Sequence, residues 1–365
     1  MTANVQEQEQ NIRMLRESAA AVANRTDLSR IRKLRYTHHG FERTAWQKMA
    51  ELGWLGLRLP EERGGSGLGM AEYCALVEEL GGGLVPEPLI AGVLTAHLLD
   101  GVELGAHLAS TALFLPAWQE HRQSLAPGSE ARFAGGVVNG CKCFVAAADG
   151  ADGFVVQTDR GIVLVAADAP GLKRHADMLQ DGTHMALLEF SNTPGRPIPG
   201  NMSDALEEAT LATAAYLLGV VDATLERTLD YLRLRQQFGV PIGTFQALQH
   251  EAVDMKLQAA LAHASIRSAA AAFDAGAGLV ERQIAVSLAK ARANEAALLV
   301  TRQAIQLHGG IGFSDEHDIG LFLRKAMVLA PAFGSTATHR RRYAALALNR
   351  PDRPGPATRD LEIVE

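Results

Sequence analysis

Cysteine is scarce: Cys74, Cys141 and Cys143 are the only three in 365 residues, too few for a disulfide framework. No apolar run reaches the roughly 18 residues that a membrane helix needs. The longest candidate, 209–221 between Glu208 and Asp222, reads as a buried helix of a soluble protein. The start, MTANVQEQEQ, has neither a basic region nor an apolar stretch, which argues against secretion and for the cytoplasm. An excess of positive charge is missing too. Thirty-five Lys and Arg against 41 Asp and Glu leave a formal charge of −6, the wrong sign for a nucleic-acid binder that works by counterion release. Aromatic residues reach only 5%, yet hydrophobic residues make up 47%, which excludes disorder over most of the chain. At roughly 100–200 residues per domain, the length allows two or three domains.

Three compositional zones follow one another. The first, 1–109, reads as an all-α domain, with helical spacing at 44–52 and 70–80 and a helix stop at Gly81, Gly82 and Gly83. The glycine-rich run at 60–69 between them lacks the Gly-Lys-Ser/Thr ending of a phosphate loop, so it reads as an inter-helix loop. The second zone, 110–199, has short apolar runs at 111–115, 136–138, 142–146, 153–157, 162–166 and 186–190, cut by turn residues; this predicts a β domain. Asn139-Gly140 is a hairpin signal between two of these runs. Cys141 and Cys143 alternate on one strand face and read as packing residues, because no further ligands stand near enough for a metal site. The third zone, 200–349, is helical, with Thr244 as N-cap of a helix to about 275, another from 279 to 308, and shorter ones at 317–329 and 338–348. Its Ala and Leu content suits a helical bundle. Residues 350–365 read as a loose tail.

Two segments in the third zone could carry chemistry. In RQQFG at 235–239, Arg235 ends a long helix, where a guanidinium can grip a phosphate or simply suit the helix dipole. In QLHGGIGF at 306–313, three glycines in four residues let backbone approach a ligand or merely end a helix.

Both segments, within this helix–β–helix order, resemble the acyl-CoA dehydrogenase family over nearly the whole chain. GWLGLRLPEERGGSGLG at 53–69 and EELG at 78–81 are similar to its amino-terminal helical domain. NGCKCFV at 139–145 is similar to a middle-domain strand. The 235–239 run with Pro241, Ile242, Phe245, Gln246 and Gln249, together with 306–313, is similar to two carboxy-terminal motifs. The resemblance implies a multi-domain α+β fold: an N-terminal helical domain, a β-barrel-like middle domain and a C-terminal four-helix bundle. It implies FAD bound across a subunit interface. Arg235 would then hold the pyrophosphate of the neighbour's FAD, Phe238, Ile242 and Phe245 would line its adenine side, and Gln306, Gly309 and Gly310 would receive pyrophosphate and ribose. Phe144 would lie beside the flavin ring. The reaction implied is α,β-dehydrogenation of an acyl-CoA thioester, with electron-transfer flavoprotein or a similar acceptor downstream. The assembly implied is a homodimer, a homotetramer or a heterotetramer with a paralogous subunit.

Two features depart from the family pattern, the catalytic base and the flavin loop. Counting from Gln306, the usual catalytic glutamate falls on Phe333, which cannot serve as a base. The alternative family position falls on Ala209, and another on Tyr216, leaving Glu208 as the nearest carboxylate and the candidate base, with Glu207 beside it. The expected flavin loop appears as LPAWQE at 115–120, without its glycine and serine. An alternative function follows: a catalytically silent subunit that completes a partner's FAD site.

Overall fold

The structure is a computed structural model and describes residues 2–122 and 124–348; the tail expected at 350–365 lies outside the described residues. Six helices come first: α1 (Thr2–Ala19), α2 (Ser29–Leu34), α3 (Arg43–Glu51), α4 (Met70–Gly82), α5 (Leu89–Leu98) and α6 (Gly101–Leu108). Eight strands follow: β1 (Phe114–Ala117), β2 (Arg132–Ala134), β3 (Val137–Ala146), β4 (Gly153–Thr158), β5 (Gly161–Ala166), β6 (Leu172–Met178), β7 (His184–Pro194) and β8 (Arg196–Ile198). The long helix α7 (Met202–Leu234) opens the last part. A small ribbon β9 (Gln236–Gln237) and β10 (Val240–Pro241) leads to α8 (Gln246–Asp274), α9 (Leu279–His308), α10 (Gly310–Phe313), α11 (Ile319–Leu329) and α12 (Thr336–Leu348). The strands make two four-stranded sheets, ordered β1-β4-β5-β8 and β2-β3-β7-β6, antiparallel except for the β1–β4 pair.

The helices are held by small residues and aliphatic stripes. α7 carries buried Leu211, Ala215, Leu218 and Leu225, and it meets α4 where both helices lack side chains. A Cβ on Gly81 would lie 2.1 Å from Tyr216 O, and one on Gly219 would lie 1.9 Å from Glu78 O. The glycines expected to stop α4 therefore let it cross α7 at close range, and α4 runs on to Gly82. Among the described residues α7 is the one helix long and apolar enough to cross a membrane by length and composition, although no comparable run was expected. Its most apolar window is 89% buried inside the fold, as a core helix must be.

The hairpin expected at Asn139-Gly140 does not form. Both residues lie inside β3, where the pairing with β7 shifts register between Val138 and Gly140, and Gly140 sits at φ 130°. The chain reverses instead at Gly135-Gly136, with φ of 59° and 81°. Those values suit a two-residue link between β2 and β3, which pair at Ala134–Val137. Strand β6 went unread because it is exposed along almost its whole length, so no apolar alternation marks it. Thr244 does not cap α8: its hydroxyl donates to Pro241 O, and Phe245 occupies the cap position. Cys141 is exposed rather than packed, while Cys143 is half-buried with its Sγ 3.4 Å from Gln119 O.

Candidate active site

A cavity opens where the second sheet faces α5, α7 and α11. One wall is Phe144 on β3, an exposed ring carried on a left-handed backbone at φ 59°. A second aromatic wall is Phe333, after α11, stacked on Trp118 just past β1 with centroids 6.0 Å apart and planes 13° from parallel. The floor comes from Val85, Leu89 and Ile90 near the start of α5, and Thr213 and Tyr216 of α7 complete it.

The loop that presents Phe333 is pinned from behind. Phe333 has φ 53°, and Gly334 follows at φ 108°. His339 Nε2 lies 2.8 Å from Phe333 O, and the fully buried Lys290 donates to Asn294 Oδ1 at 2.6 Å, to Ala330 O at 3.0 Å and to Gly334 O at 3.4 Å. The 115–120 loop is built around a buried ion pair. Glu120 accepts from Lys142 Nζ and from the backbone N–H groups of Glu130 and Ala131, so it holds the loop with charge where glycine and serine were expected.

The carboxylates that line the cavity are all engaged among the described residues. Glu87 receives Arg30 in a bidentate pair at 2.8 and 3.0 Å. Asp181 lies 2.6 Å from Lys325 Nζ; burial opposes its charge, but Lys325 and Thr183 outweigh burial and lower its pKa. Tyr216 Oη donates to Val85 O at 2.9 Å, and burial raises its pKa well above the ordinary value, so it is a neutral phenol.

Glu208, the expected base, does not line the cavity. It sits on α7 in an ion pair with Arg58, whose Nε and Nη2 donate at 3.0 and 2.9 Å, and His97 lies 3.4 Å away. Burial alone would raise its pKa, but nearby His97 and the hydrogen bonds and charge of Arg58 bring it down to about 2. A carboxylate that holds its negative charge so firmly, with both oxygens occupied, is a poor proton acceptor. Glu207 is no better placed, since Arg342 grips both of its oxygens.

The remaining expected residues gather elsewhere. Arg235 follows the last turn of α7. Phe238 lies in the adjoining ribbon, 93% exposed with φ 54°, and its ring meets Phe245 edge-on at 6.2 Å. Ile242 is half-buried beside them. Tyr231, one turn before Arg235, stacks on His308 at 4.3 Å and donates to His308 O. That contact brings the end of α7 to the end of α9, where Gln306 is exposed and Gly309 and Gly310 leave open space where a side chain would start. The structure thus joins Arg235, Phe238, Ile242 and Phe245 with Gln306, Gly309 and Gly310 in one region, and puts Phe144 alone in the cavity.

Comparison with known proteins agrees with this architecture. Residues 9–102 match the family model for the acyl-CoA dehydrogenase N-terminal domain, and residues 200–348 match the model for the C-terminal domain. The acyl-CoA dehydrogenase IpdE2 of Mycobacterium tuberculosis is 30% identical over 323 residues, covering 86% of this chain and 90% of its own. The protein of the same name from Mycolicibacterium smegmatis is 29% identical over 340 residues, covering 91% and 97%. The solved structure of a variant of the steroid ACAD Tcur3481-Tcur3483 superposes with TM-score 0.81 at 28% identity, covering 94% of this chain and 98% of that one.

The chain belongs to the acyl-CoA dehydrogenase family. It is an oxidoreductase of the type acting on CH–CH bonds, with helical N- and C-terminal domains around a sheet-built middle domain. FAD is the cofactor of this acyl-CoA dehydrogenase family, and the residues present suit it. An isoalloxazine needs flat apolar walls, which Phe144, Trp118 and Phe333 offer. A pyrophosphate needs a guanidinium and bare backbone, which Arg235, Gly309 and Gly310 offer together at one end of the bundle. Lys290 was missed in the sequence: it acts through residues distant in the chain, and no local spacing marks it. Trp118 was seen only as part of the 115–120 loop, since its partner Phe333 is distant in the chain.

Proposed function

We propose that this chain is an FAD-dependent acyl-CoA dehydrogenase that removes two hydrogens across the α,β-bond of an acyl-CoA thioester. The observation that carries this reading is the cavity itself, with aromatic walls from the middle and C-terminal domains and an apolar floor. When bound, the flavin supplies the two-electron acceptor for the β-hydride. The chain's own residues shape the rest: Phe144 backs the flavin ring, Trp118 and Phe333 close the acyl side, and Val85, Leu89 and Ile90 exclude water from it. Arg235, Gln306, Gly309 and Gly310 hold the dinucleotide, with Phe238, Ile242 and Phe245 beside its adenine. Phe238, Leu234 and Phe313 stand 93%, 79% and 79% exposed near those groups, an apolar surface suited to burial between subunits. Such an oligomer in the cytoplasm would pass its electrons to an electron-transfer flavoprotein or a similar acceptor.

A second reading has its own support. Phe333 occupies the cavity where a base is needed, and Glu87 and Asp181 are committed to Arg30 and Lys325. On that reading the chain is silent by itself and completes the site of a paralogous subunit. One experiment separates the two. The protein is purified alone and together with a paralogue, its flavin content is measured, and it is titrated anaerobically with short, branched and ring-bearing acyl-CoAs. Ring-bearing thioesters come first, because the Tcur3481-Tcur3483 relative is described as a steroid enzyme. Flavin reduction by the chain alone establishes the first reading. Reduction only with the paralogue establishes the second, and no reduction in either preparation refutes both.

A further inference from the structure

Most polar groups around the cavity are satisfied by the protein. Tyr216 Oη donates to Val85 O, Thr183 Oγ1 donates to Asp181, and Glu87 and Asp181 are ion-paired. His184 is different. It opens β7, is only 5% exposed, and lines the cavity beside His39, Gly40 and Thr183. Its Nε2 lies 3.0 Å from the backbone nitrogen of Asp149 and accepts that N–H. An N–H can bond only to a ring nitrogen that carries a lone pair, so the proton of the neutral ring resides on Nδ1. The ring is kept neutral first by burial, which lowers its pKa, with His38 and His39 adding to the effect against Asp149. Nδ1 has no acceptor among the described residues. The backbone of Gly40, another residue of the cavity lining, passes close by: a side chain there would begin 3.3 Å from Thr183 Cα and 3.8 Å from Nδ1.

A buried donor without a partner is costly, and the cost is removed when a ligand brings the acceptor. We propose that the Nδ1–H of His184 donates to a carbonyl oxygen of the group that fills this cavity, which makes His184 a binding residue of the site. The inference rests on the cavity being the site for flavin and thioester. A neutral imidazole suits a neutral carbonyl, because neither partner brings a charge that the apolar cavity would have to solvate. The isoalloxazine ring and the thioester both present such an oxygen, and the experiment distinguishes them.

The two ring nitrogens can be tested apart. Asparagine places its amide nitrogen near Nδ1, whereas glutamine places its amide oxygen near Nε2. His184→Asn therefore keeps the donor to the ligand and loses the acceptor for Asp149, His184→Gln does the reverse, and His184→Leu removes both. The full chain, with any subunit that purifies with it, is stripped of flavin. It is then titrated with FAD in one arm and cyclohexanecarboxyl-CoA in the other, with circular dichroism and melting curves on every variant. His184→Asn should bind within about threefold of the unmutated protein, and His184→Gln and His184→Leu should weaken one arm by roughly tenfold or more. Loss in the FAD arm assigns the carbonyl to the flavin, and loss confined to the acyl-CoA arm assigns it to the thioester. Binding retained by His184→Gln but lost in His184→Asn would overturn the inference, since the ring would then serve only Asp149. Equal binding by all variants would overturn it as well. Should the leucine variant fail to fold, the asparagine and glutamine pair decides the matter alone. An unmutated protein that binds neither ligand would bring down the functional reading itself, and the inference with it.

Discussion

Glu208→Gln separates a structural carboxylate from a catalytic one. The side chain is 17% exposed, its partner Arg58 14%, so solvent screens their interaction little. Hydrogen bonds and charge hold its carboxyl at about 2 instead of the ordinary 4.5, against the burial that opposes its ionisation. A group ionised so much more readily in the folded chain stabilises it by roughly 3 kcal/mol at neutral pH. The folded-state pKa is depressed, so this contribution is complete above about pH 4.5 and is lost as pH falls from there through about 2. Gln cannot supply the charge, and its single amide oxygen can replace only one of the two bonds from the half-buried Arg58, which keeps Leu68 O as its other acceptor. Denaturant unfolding should therefore show a loss of about 3 kcal/mol at pH 7 that shrinks steadily below pH 4.5. Flavin content and acyl-CoA binding per folded molecule should be unchanged, because Glu208 is outside the cavity. A variant as stable as the parent at pH 7 yet unable to reduce its flavin would refute this and return Glu208 to the role of base.

Phe333→Glu places a carboxylate in the cavity on a loop already held by Lys290 and His339; if a missing base is what limits the chain, flavin reduction by acyl-CoA should rise by roughly 10²–10⁴-fold, and stopped-flow traces no faster than the parent's would count against it. Arg235→Ala should weaken FAD retention by about 1.5–3 kcal/mol through loss of a charge-assisted contact, measured as flavin per chain after dialysis; an unchanged ratio would remove Arg235 from the cofactor site. All three thiols should titrate after denaturation. In the native protein exposed Cys141 should react first, and Cys74 should resist, because burial raises its pKa far above the ordinary value; rapid labelling of Cys74 would contradict its placement in the core.

Much of the helical architecture was legible because long helices write their burial at regular spacing. The ends of α9 and α11, and the apolar stripe of α7, follow from periodicity and from glycine after His308. The sheets were read less well, since pairing depends on partners far along the chain. Asn139-Gly140 has the chemistry of a turn, yet β7 recruits both residues into a continuous strand, and Gly135-Gly136 makes the turn instead. The site was legible only in part. Counting along the chain brought Phe333 to notice, and it does stand in the cavity, whereas Glu208 was chosen for its nearness to a helix position. Helix position does not reveal that Arg58, 150 residues earlier, arrives to neutralise it. His184 was invisible for the same reason: only the fold brings Asp149 to one of its nitrogens and leaves the other unpartnered.

The Phe333 loop bears on what the cavity does. A phenylalanine at φ 53° costs on the order of 1–3 kcal/mol relative to an unstrained backbone, and Gly334 beside it admits no side chain, since a Cβ there would meet Leu125 at 2.4 Å and His339 at 2.6 Å. Burying Lys290 adds a further cost, because desolvation pushes its pKa down to about 7. These costs are borne by a segment whose tip delivers neither a carboxylate nor any other proton acceptor. What the tip does deliver is a ring laid against Trp118, joining the middle and C-terminal domains in the wall of the cavity. The stacked pair offsets part of that cost, about 0.5–1.5 kcal/mol beyond the area it buries. The segment on which the family's usual base position falls forms a wall of the cavity instead.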